Sequence, residues 1–254
     1  MSKQAQINHL TGKVALVQGG SRGIGAAIAK RLARDGAAVA LTYANSADKA
    51  QEVVKEIEAT GARAIAIKAD SADAMQIKAA VQVTADTYGK IDILVNNAGV
   101  LALGNVAEAE ISLEDIERTL AVNVRSVIVA SQAVVKYMEK GGRIITIGST
   151  NAERMPFQGG SVYAMSKAAI VGLTKGLARD LGPLGITVNN IQPGPIDTEM
   201  NPDGGDFAQA LKGLMALPRY GTVEEVASFA AYLAGPETAY ITGASLLIDG
   251  GFSA

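Results

Sequence analysis

Tyr163, Lys167 and Ser149 are the residues whose types and spacing could carry out chemistry in this chain. Tyr163 and Lys167 are four residues apart, so on one helix their side chains lie on the same face. A phenol has a pKa of about 10, and a neighbouring ammonium favours its ionised form. The hydroxyl of Ser149, fourteen residues before Tyr163, could hold a reacting oxygen in place. The three side chains could therefore protonate a carbonyl group during its reduction, although Tyr-x-x-x-Lys on a helix is usually an exposed pair.

A glycine-rich loop stands near the other end of the chain, directly before a predicted helix. It reads G-G-S-R-G-I-G over residues 19–25. Glycines let the backbone approach a pyrophosphate closely, and the helix start contributes N–H groups and a positive dipole end. The spacing G-x-x-x-G-x-G differs from the usual G-x-G-x-x-G, and no Gly-Lys-Ser/Thr follows, which argues against a P-loop. A tight strand-to-helix turn is the alternative, but the place after the first strand favours nucleotide binding.

The elements that must position these residues alternate along the whole chain. Near-continuous apolar strands separated by helices indicate a parallel sheet covered on both faces. Right-handed crossovers make this one doubly wound, Rossmann-type α/β domain over 1–254, with ligands at the carboxyl ends of the strands. Residues 1–10 are predicted to form a short tail. Strands are predicted at 14–17, 39–42, 64–67, 91–95, 143–147, 186–191 and 245–248, and helices at about 23–35, 46–60, 72–88, 112–138, 161–181, 206–216 and 223–234.

Composition excludes several classes of function. The chain has 254 residues, 48% of them hydrophobic, but no run approaches the roughly 18 to 20 apolar residues of a membrane span. Cysteine is absent, which excludes disulfides and thiolate catalysis and fits a cytoplasmic protein. The net charge of −2 gives no electrostatic footprint for nucleic acid. The single histidine, His9, lies in the predicted tail, so neither histidine catalysis nor a metal site is expected.

Six motifs follow one another in an order that resembles the short-chain dehydrogenase/reductase family. The resemblance extends from about residue 10 to the end, and it is nearest to ketoreductases of the 3-oxoacyl-carrier-protein reductase type. Any one motif is weak evidence, but six in order at appropriate intervals are specific. They are the glycine loop at 19–25, N-N-A-G at 96–99, Asn123, Ser149, the pair Tyr163 and Lys167, and P-G-P-I-D-T at 193–198.

The resemblance assigns catalytic roles to four residues. Tyr163 is expected to be the general acid in reduction and the base in oxidation. Lys167 is expected to lower the pKa of Tyr163 and to hold the nicotinamide ribose. Ser149 is expected to hydrogen-bond the substrate oxygen, and Asn123 to hold a water that links Lys167 to solvent.

Two positions depart from the family pattern. Gln18 stands where members usually have threonine, so the glycine loop could be looser or differently shaped. The interval from Ser149 to Tyr163 is one residue longer than the commonest spacing, and Thr150 occupies the usual offset. Ser149 remains the preferred residue because it ends a strand, with Thr150 as the alternative.

The expected cofactor is NADP(H) in preference to NAD(H). No carboxylate stands at the end of the second strand, where NAD-specific sites hold the ribose, and Arg22 could pair with a 2′-phosphate. Arg22 could also be a solvated loop charge, and Asp70 and Ser71 could simply cap a helix. The full set expected to contact the cofactor is Gly19, Ser21, Arg22, Gly23, Ile24, Gly25, Tyr43, Asn45, Ser46, Asp70, Ser71, Asn97, Ala98, Gly99, Tyr163, Lys167, Pro193, Gly194, Ile196 and Thr198.

The substrate is predicted only as a class, a small ketone or keto ester with hydrophobic groups. Apolar segments at 100–103 and 155–157, and a substrate loop or lid at about 195–220, could line its pocket or simply pack. The leading prediction is an NADP(H)-dependent carbonyl reductase. The alternatives are a catalytically weak nucleotide-binding regulator, and an epimerase or dehydratase, for which no larger substrate domain is visible. Family resemblance implies a homotetramer.

Overall fold

Seven parallel strands form one sheet in the computed structural model, which describes residues 9–254. The strands are β1 (Val14–Gln18), β2 (Ala38–Tyr43), β3 (Ala64–Lys68), β4 (Ile93–Asn96), β5 (Arg143–Ile147), β6 (Thr187–Pro193) and β7 (Ser245–Ile248). Their order across the sheet is β3-β2-β1-β4-β5-β6-β7. Every neighbouring pair is parallel, with Val17, for example, opposite both Leu41 and Val95. The predicted doubly wound α/β fold is confirmed.

Helices cover both faces of this sheet. They are α1 (Gly23–Arg34), α2 (Ala47–Glu58), α3 (Ala74–Tyr88), α4 (Leu113–Leu120), α5 (Ser126–Val134), α6 (Ser161–Leu181), α7 (Gly205–Lys212) and α8 (Val223–Ala234). Helices α1, α2 and α8 contribute to one buried hydrophobic cluster, and α3, α5 and α6 contribute to the other.

Alternation along the strands explains the two clusters. In β1, Ala15 and Val17 belong to the first cluster, whereas Leu16 between them belongs to the second. Successive side chains of a strand point to opposite faces, so a strand buried on both faces is largely apolar, as β1 is before Gln18. This burial produces the continuous apolar runs that predicted the parallel sheet.

Two predicted helices differ from those observed. The helix expected at 112–138 is regular only in α4 and α5, which are joined by a π-helical turn at Ala121–Arg125 and followed by a 3₁₀ turn at Val135–Tyr137. The helix expected at 206–216 ends at Lys212, where Gly213 is its C-cap. Glycine has a low helix propensity, which accounts for the earlier end.

Leu10, which the sequence placed in the predicted tail, is instead part of the fold. Residues 1–8 lie outside the described part of the chain. The side chain of Leu10 belongs to the hydrophobic core, and its N–H donates to the carbonyl oxygen of Asp35 at 2.9 Å.

The order of the strands determines where a ligand can bind. The chain runs outward from β1 to β3 on one side, then returns to add β4 on the other side of β1. The connections after β1 and β4 therefore diverge above the sheet and leave a crevice at the carboxyl ends of the strands. Both the glycine loop and the N-N-A-G motif border this crevice.

Candidate active site

A cavity of about 350 Å³ opens at the carboxyl ends of β1, β2, β4 and β5. Its walls come from the glycine loop, the ends of the strands, α6, and the segment that follows β6. It therefore occupies the crevice expected from the reversal of strand order. Tyr163 and Lys167 line this cavity together with Gly19 and Gly23 of the glycine loop.

The glycine loop is held closely against the neighbouring strands. The N–H of Gly19 donates to Thr42 Oγ1 at 3.1 Å, and the N–H of Gly20 donates to the Thr42 carbonyl oxygen at 2.9 Å. A Cβ atom on Gly25 would lie 2.2 Å from the Gly19 carbonyl oxygen and 2.4 Å from Asn97 Nδ2. Gly25 is thus required for packing of the loop on the N-N-A-G segment.

Gln18 fixes the base of this loop. Its buried side chain donates from Nε2 to Asn96 Oδ1 at 2.7 Å, which links the ends of β1 and β4. The Asn97 side chain then donates from Nδ2 to the Gly19 carbonyl oxygen at 2.9 Å. The glutamine therefore joins the base of the loop to β4, and its effect on the looseness of the loop stays a prediction.

Tyr163 and Lys167 share one face of α6, as their spacing predicts. The Lys167 ammonium lies 5.7 Å from the centroid of the Tyr163 ring and donates to the carbonyl oxygen of Ile147 at 3.1 Å. Lys167 is only 6% exposed, and this burial lowers its pKa to about 8. The carbonyl oxygen at the end of β5 thus accepts a hydrogen bond from a nearly buried ammonium.

The pKa of Tyr163 differs from the expectation drawn from sequence. Burial raises it, and a hydrogen bond with Ser149 acts in the opposite direction but is the smaller effect. The predicted lowering by Lys167 is not found, because desolvation dominates and the ammonium of Lys167 is directed to Ile147. The phenol is consequently protonated at neutral pH in this structure.

Ser149 and Thr150, the two candidates for the catalytic hydroxyl, differ in the hydrogen bonds that they make. Ser149 caps a short 3₁₀ turn, Thr150–Ala152, by accepting from the Asn151 N–H at 3.1 Å, and it also bonds to Tyr163. The Thr150 hydroxyl is buried and donates to Asp249 Oδ2 at 3.1 Å. Of the two candidates, Ser149 is the one that lies beside the tyrosine.

Asn123 lies in the π-helical turn between α4 and α5, and it links three segments. Its Oδ1 accepts from the Val100 N–H at 2.8 Å, while Nδ2 donates to the Val100 carbonyl at 3.0 Å and to Ser166 Oγ at 3.0 Å. Gly99 lies alongside, and a Cβ there would be 3.6 Å from both Asn123 Oδ1 and Lys167 Nζ. The position of Asn123 is compatible with the predicted water-holding role, which stays a prediction.

Most residues predicted to contact the cofactor line the cavity. These are Gly19, Ser21, Arg22, Gly23, Ile24, Tyr43, Asn45, Ser46, Asp70, Ser71, Asn97, Ala98, Gly99, Tyr163, Lys167 and Thr198.

Four predicted contacts do not line it: Gly25, Pro193, Gly194 and Ile196. Pro193 ends β6 and is buried, and Ile196 is buried in the cluster that contains α1 and α8. A Cβ on Gly194 would lie 2.7 Å from the Cα of Asp249, so this glycine allows two chain segments to pack. In this structure, packing rather than cavity lining accounts for all four.

Sequence reasoning missed several residues of the cavity. Thr42, Ala44, Ala69, Val122, Ile147 and Gly148 also line the cavity, and each lies within two residues of a predicted one. Arg118 and Glu199 are charged and line the cavity from distant segments. Arg118 Nη1 lies 3.6 Å from Asp70 Oδ2, and Glu199 Oε2 lies 3.3 Å from Arg22 Nη1. Only the tertiary fold brings these partners together, so no local signal could have identified them.

Comparisons with known proteins agree with this geometry. A family model described as enoyl-(acyl carrier protein) reductase matches residues 19–253. A crystal structure of a short-chain dehydrogenase/reductase from Serratia marcescens is 66% identical, with a TM-score of 0.95 and coverage of 96% of this chain and 99% of that chain.

The chain belongs to the short-chain dehydrogenase/reductase family. A family member from Burkholderia cenocepacia, solved in complex with NADP, is 56% identical, with a TM-score of 0.95 and coverage of 97% and 100% of the two chains. A curated relative from Escherichia coli, the cyclic-di-GMP-binding biofilm dispersal mediator protein, is 47% identical over 244 residues, which cover 96% of this chain and 98% of the relative. The predicted family and NADP-dependent oxidoreductase class are confirmed.

Two further properties of this dehydrogenase/reductase concern the described residues alone. Within 9–254, there is no group of three or more histidine, aspartate or glutamate side chains arranged to hold a metal ion. No helix in the same range combines the length and the apolar character needed to span a bilayer.

Proposed function

We propose that this protein is an NADP(H)-dependent carbonyl reductase that acts on ketones or keto esters, with Tyr163 as the proton donor. One observation carries the proposal: Tyr163 and Lys167 line the same cavity as the glycine loop. A proton donor is useful in reduction only beside the cofactor, and this cavity provides that proximity.

The cavity fits a nicotinamide dinucleotide phosphate. The backbone of the glycine loop and the first turn of α1 face it and would hold the pyrophosphate. At the end of β2 the lining residues Tyr43, Asn45 and Ser46 carry no negative charge, and Arg22 lines the same cavity. A guanidinium with no competing carboxylate on β2 suits a 2′-phosphate better than a free ribose hydroxyl. Bound NADPH supplies the hydride that reduces the carbonyl carbon.

The side chains near Tyr163 would govern the proton. Burial keeps the phenol protonated, so it can donate to the oxygen of a carbonyl as negative charge develops there. Ser149, bonded to the same phenol, would hold that oxygen. Lys167, which lines the same cavity, would hold the nicotinamide ribose, as the family resemblance implies. Reversal of these steps makes the phenolate the base in alcohol oxidation.

The apolar lining points to the class of substrate. Val100 and Met200 line the cavity, as predicted from the segments that contain them. Phe157 and Met215 instead belong to a separate packed cluster with Tyr220 and Phe252. Two arginines that could otherwise bind the phosphate of an acyl-carrier group are engaged elsewhere, Arg154 with the Phe252 carbonyl and Arg219 with Glu225. These contacts favour a small ketone or keto ester with hydrophobic substituents.

The experiment that tests this function follows NADPH absorbance with a panel of ketones that includes an acetoacetyl ester. We expect turnover of at least one member, with NADPH preferred to NADH. Tight binding of NADPH with no oxidation across the panel would contradict the reductase assignment.

A nucleotide-binding regulator is the second candidate, and the Escherichia coli relative named for cyclic-di-GMP binding favours it. Calorimetric titration with cyclic-di-GMP, with and without saturating NADPH, distinguishes the two. Binding of cyclic-di-GMP without ketone turnover would favour the regulator, whereas turnover without such binding would favour the reductase.

For the assembly, we propose the cytoplasmic homotetramer that the family resemblance implies. Large apolar side chains are exposed on the long helices and beside the last strand: Leu113, Ile128, Met165, Tyr240 and Leu247. Burial of such side chains between subunits would remove apolar area from water. Size-exclusion chromatography with light scattering tests the assembly, and a monomer at micromolar concentration would contradict it.

A further inference from the structure

Glu199 connects two basic residues at the rim of the cavity. It follows Thr198 in the segment after β6 and lines the cavity. Its carboxylate lies 3.3 Å from Arg22 Nη1 and also accepts from the ammonium of Lys49. Arg22 is the N-cap residue of α1, and Lys49 lies in the first turn of α2. Three distant parts of the chain therefore meet at one carboxylate.

The two basic residues lie where positive charge would be needed for a phosphorylated ribose. Arg22 comes from the glycine loop, and Lys49 stands three residues after Ser46, which lines the cavity at the end of β2. Within residues 9–254, neither cation has another carboxylate within 4.0 Å. Their charges are balanced only by Glu199, an acid on a different element.

The Glu199 contacts are of a kind that a ligand can replace. All three side chains are substantially exposed, Glu199 to 55%. Exposed ion pairs contribute little to stability, about 0 to 1 kcal/mol each. A phosphate carries about two negative charges and accepts charge-assisted hydrogen bonds from guanidinium and ammonium groups. It would therefore compete effectively with one carboxylate for the same two cations.

We propose that Glu199 stands in for the 2′-phosphate of NADP(H) in the free protein, and that Lys49 joins Arg22 in binding this phosphate once Glu199 is displaced. The inference rests on the proposed cofactor and adds two residues that determine its selectivity. NADH has no 2′-phosphate to exchange for Glu199, so the carboxylate affects NADPH binding alone. Displacement also releases the segment after Thr198 from the glycine loop and α2.

The test measures the dissociation constants of NADPH and NADH by the fluorescence of the bound nicotinamide, without substrate. Glu199→Gln removes the competing charge, and we expect it to tighten NADPH binding about three- to tenfold while NADH changes less than twofold. Lys49→Met should weaken NADPH binding about fivefold or more and leave NADH unchanged. Glu52→Gln, an exposed acid on α2 outside these contacts, is the matched control for a lost negative charge and should change neither constant.

Each result decides the inference. An NADPH/NADH affinity ratio that is unchanged or reduced by Glu199→Gln would overturn the stand-in role, and an unchanged ratio in Lys49→Met would remove Lys49 from the phosphate site. If the wild-type protein itself shows no preference for NADPH, the proposed cofactor fails instead. Thermal unfolding checks that the variants fold, which the exposure of both side chains leads us to expect.

Discussion

The hydroxyl of Thr150 donates to the carboxylate of Asp249 at 3.1 Å, which turns this side chain away from its neighbour Ser149. The same carboxylate accepts from the N–H groups of Gly251 and Ser253, each at 3.0 Å. Two consecutive hydroxyl residues thus have different tasks. Thr150 joins the end of β5 to the turn after β7, and Ser149 bonds to Tyr163.

Substitution of these two residues separates the tasks. Ser149→Ala should lower kcat at least tenfold, because it removes a hydroxyl beside the proton donor, and should lower the free energy of unfolding by about 0.5 to 2 kcal/mol through loss of the cap. Thr150→Val should lower the free energy of unfolding by about 1 to 3 kcal/mol, since it leaves a partly buried carboxylate without one donor. Kinetics and urea denaturation measure the two effects. A greater loss of kcat in Thr150→Val than in Ser149→Ala would assign the catalytic role to Thr150.

Tyr163→Phe tests the proton donor itself. We expect kcat to fall by about 100-fold or more, the range for loss of general acid catalysis, while NADPH affinity changes little. Tyr137→Phe is the matched control, because this tyrosine bonds to Gln82 away from the cavity. Unchanged turnover in Tyr163→Phe would refute the proposed mechanism.

The burial of Lys167 predicts that the stabilities of the wild type and of Lys167→Met reverse in order as the pH rises. Its pKa of about 8 lies below the 10.5 of the ordinary side chain, so the unfolded chain binds more protons between these values. The resulting cost is fully present below about pH 8, amounts to about 3 kcal/mol, and is relieved as the pH rises towards 10.5. Lys167→Met removes this cost but also loses the hydrogen bond to Ile147, worth about 1 kcal/mol.

The Lys167→Met variant should therefore be about 2 kcal/mol more stable than the wild type at pH 7, and slightly less stable near pH 10.5. Denaturant unfolding of the cofactor-free protein across this pH range measures the difference. Lys175→Met, an exposed position on the same helix, should show no such dependence. A constant difference between Lys167→Met and the wild type at all pH values would contradict the effect of burial.

Gly25→Ala tests the packing of the glycine loop. The added methyl group would meet the Gly19 carbonyl and the Asn97 side chain, so the loop must shift. We expect destabilisation of about 1 to 3 kcal/mol and at least tenfold weaker NADPH binding. Gly182→Ala is the control, because a Cβ there meets nothing within 4 Å and its φ is −55°. Equal NADPH affinities in the two variants would show that the loop tolerates the shift.

The sequence was sufficient for the fold and for most of the cavity wall. Apolar runs such as the first four residues of β1 are typical of strands buried on both faces, so most strand positions could be read directly. Local motifs similarly located Tyr163, Lys167 and the glycine loop.

Other features depend on tertiary contacts that no local pattern encodes. The pKa of Tyr163 is raised by burial, which spacing along a helix does not reveal. The Glu199 contact with Arg22 joins residues 177 positions apart, and it arises only when the segment after β6 passes the glycine loop. Gly194 packs against Asp249, a contact that its glycine motif did not indicate, and its predicted contact with the cofactor stays a prediction.

Because of the π-helical turn at Ala121–Arg125, the position of Asn123 depends on the number of residues between α4 and α5 as well as on their types. A π turn contains one residue more than a regular turn, so deleting one residue there would restore the α-helical pitch. Each residue advances a helix by about 100°, and Asn123 would rotate away from Val100 and Ser166. Natural or engineered sequence change in this turn should therefore be confined to replacement, because shortening would break the hydrogen bonds by which Asn123 joins the segment after β4 to α6.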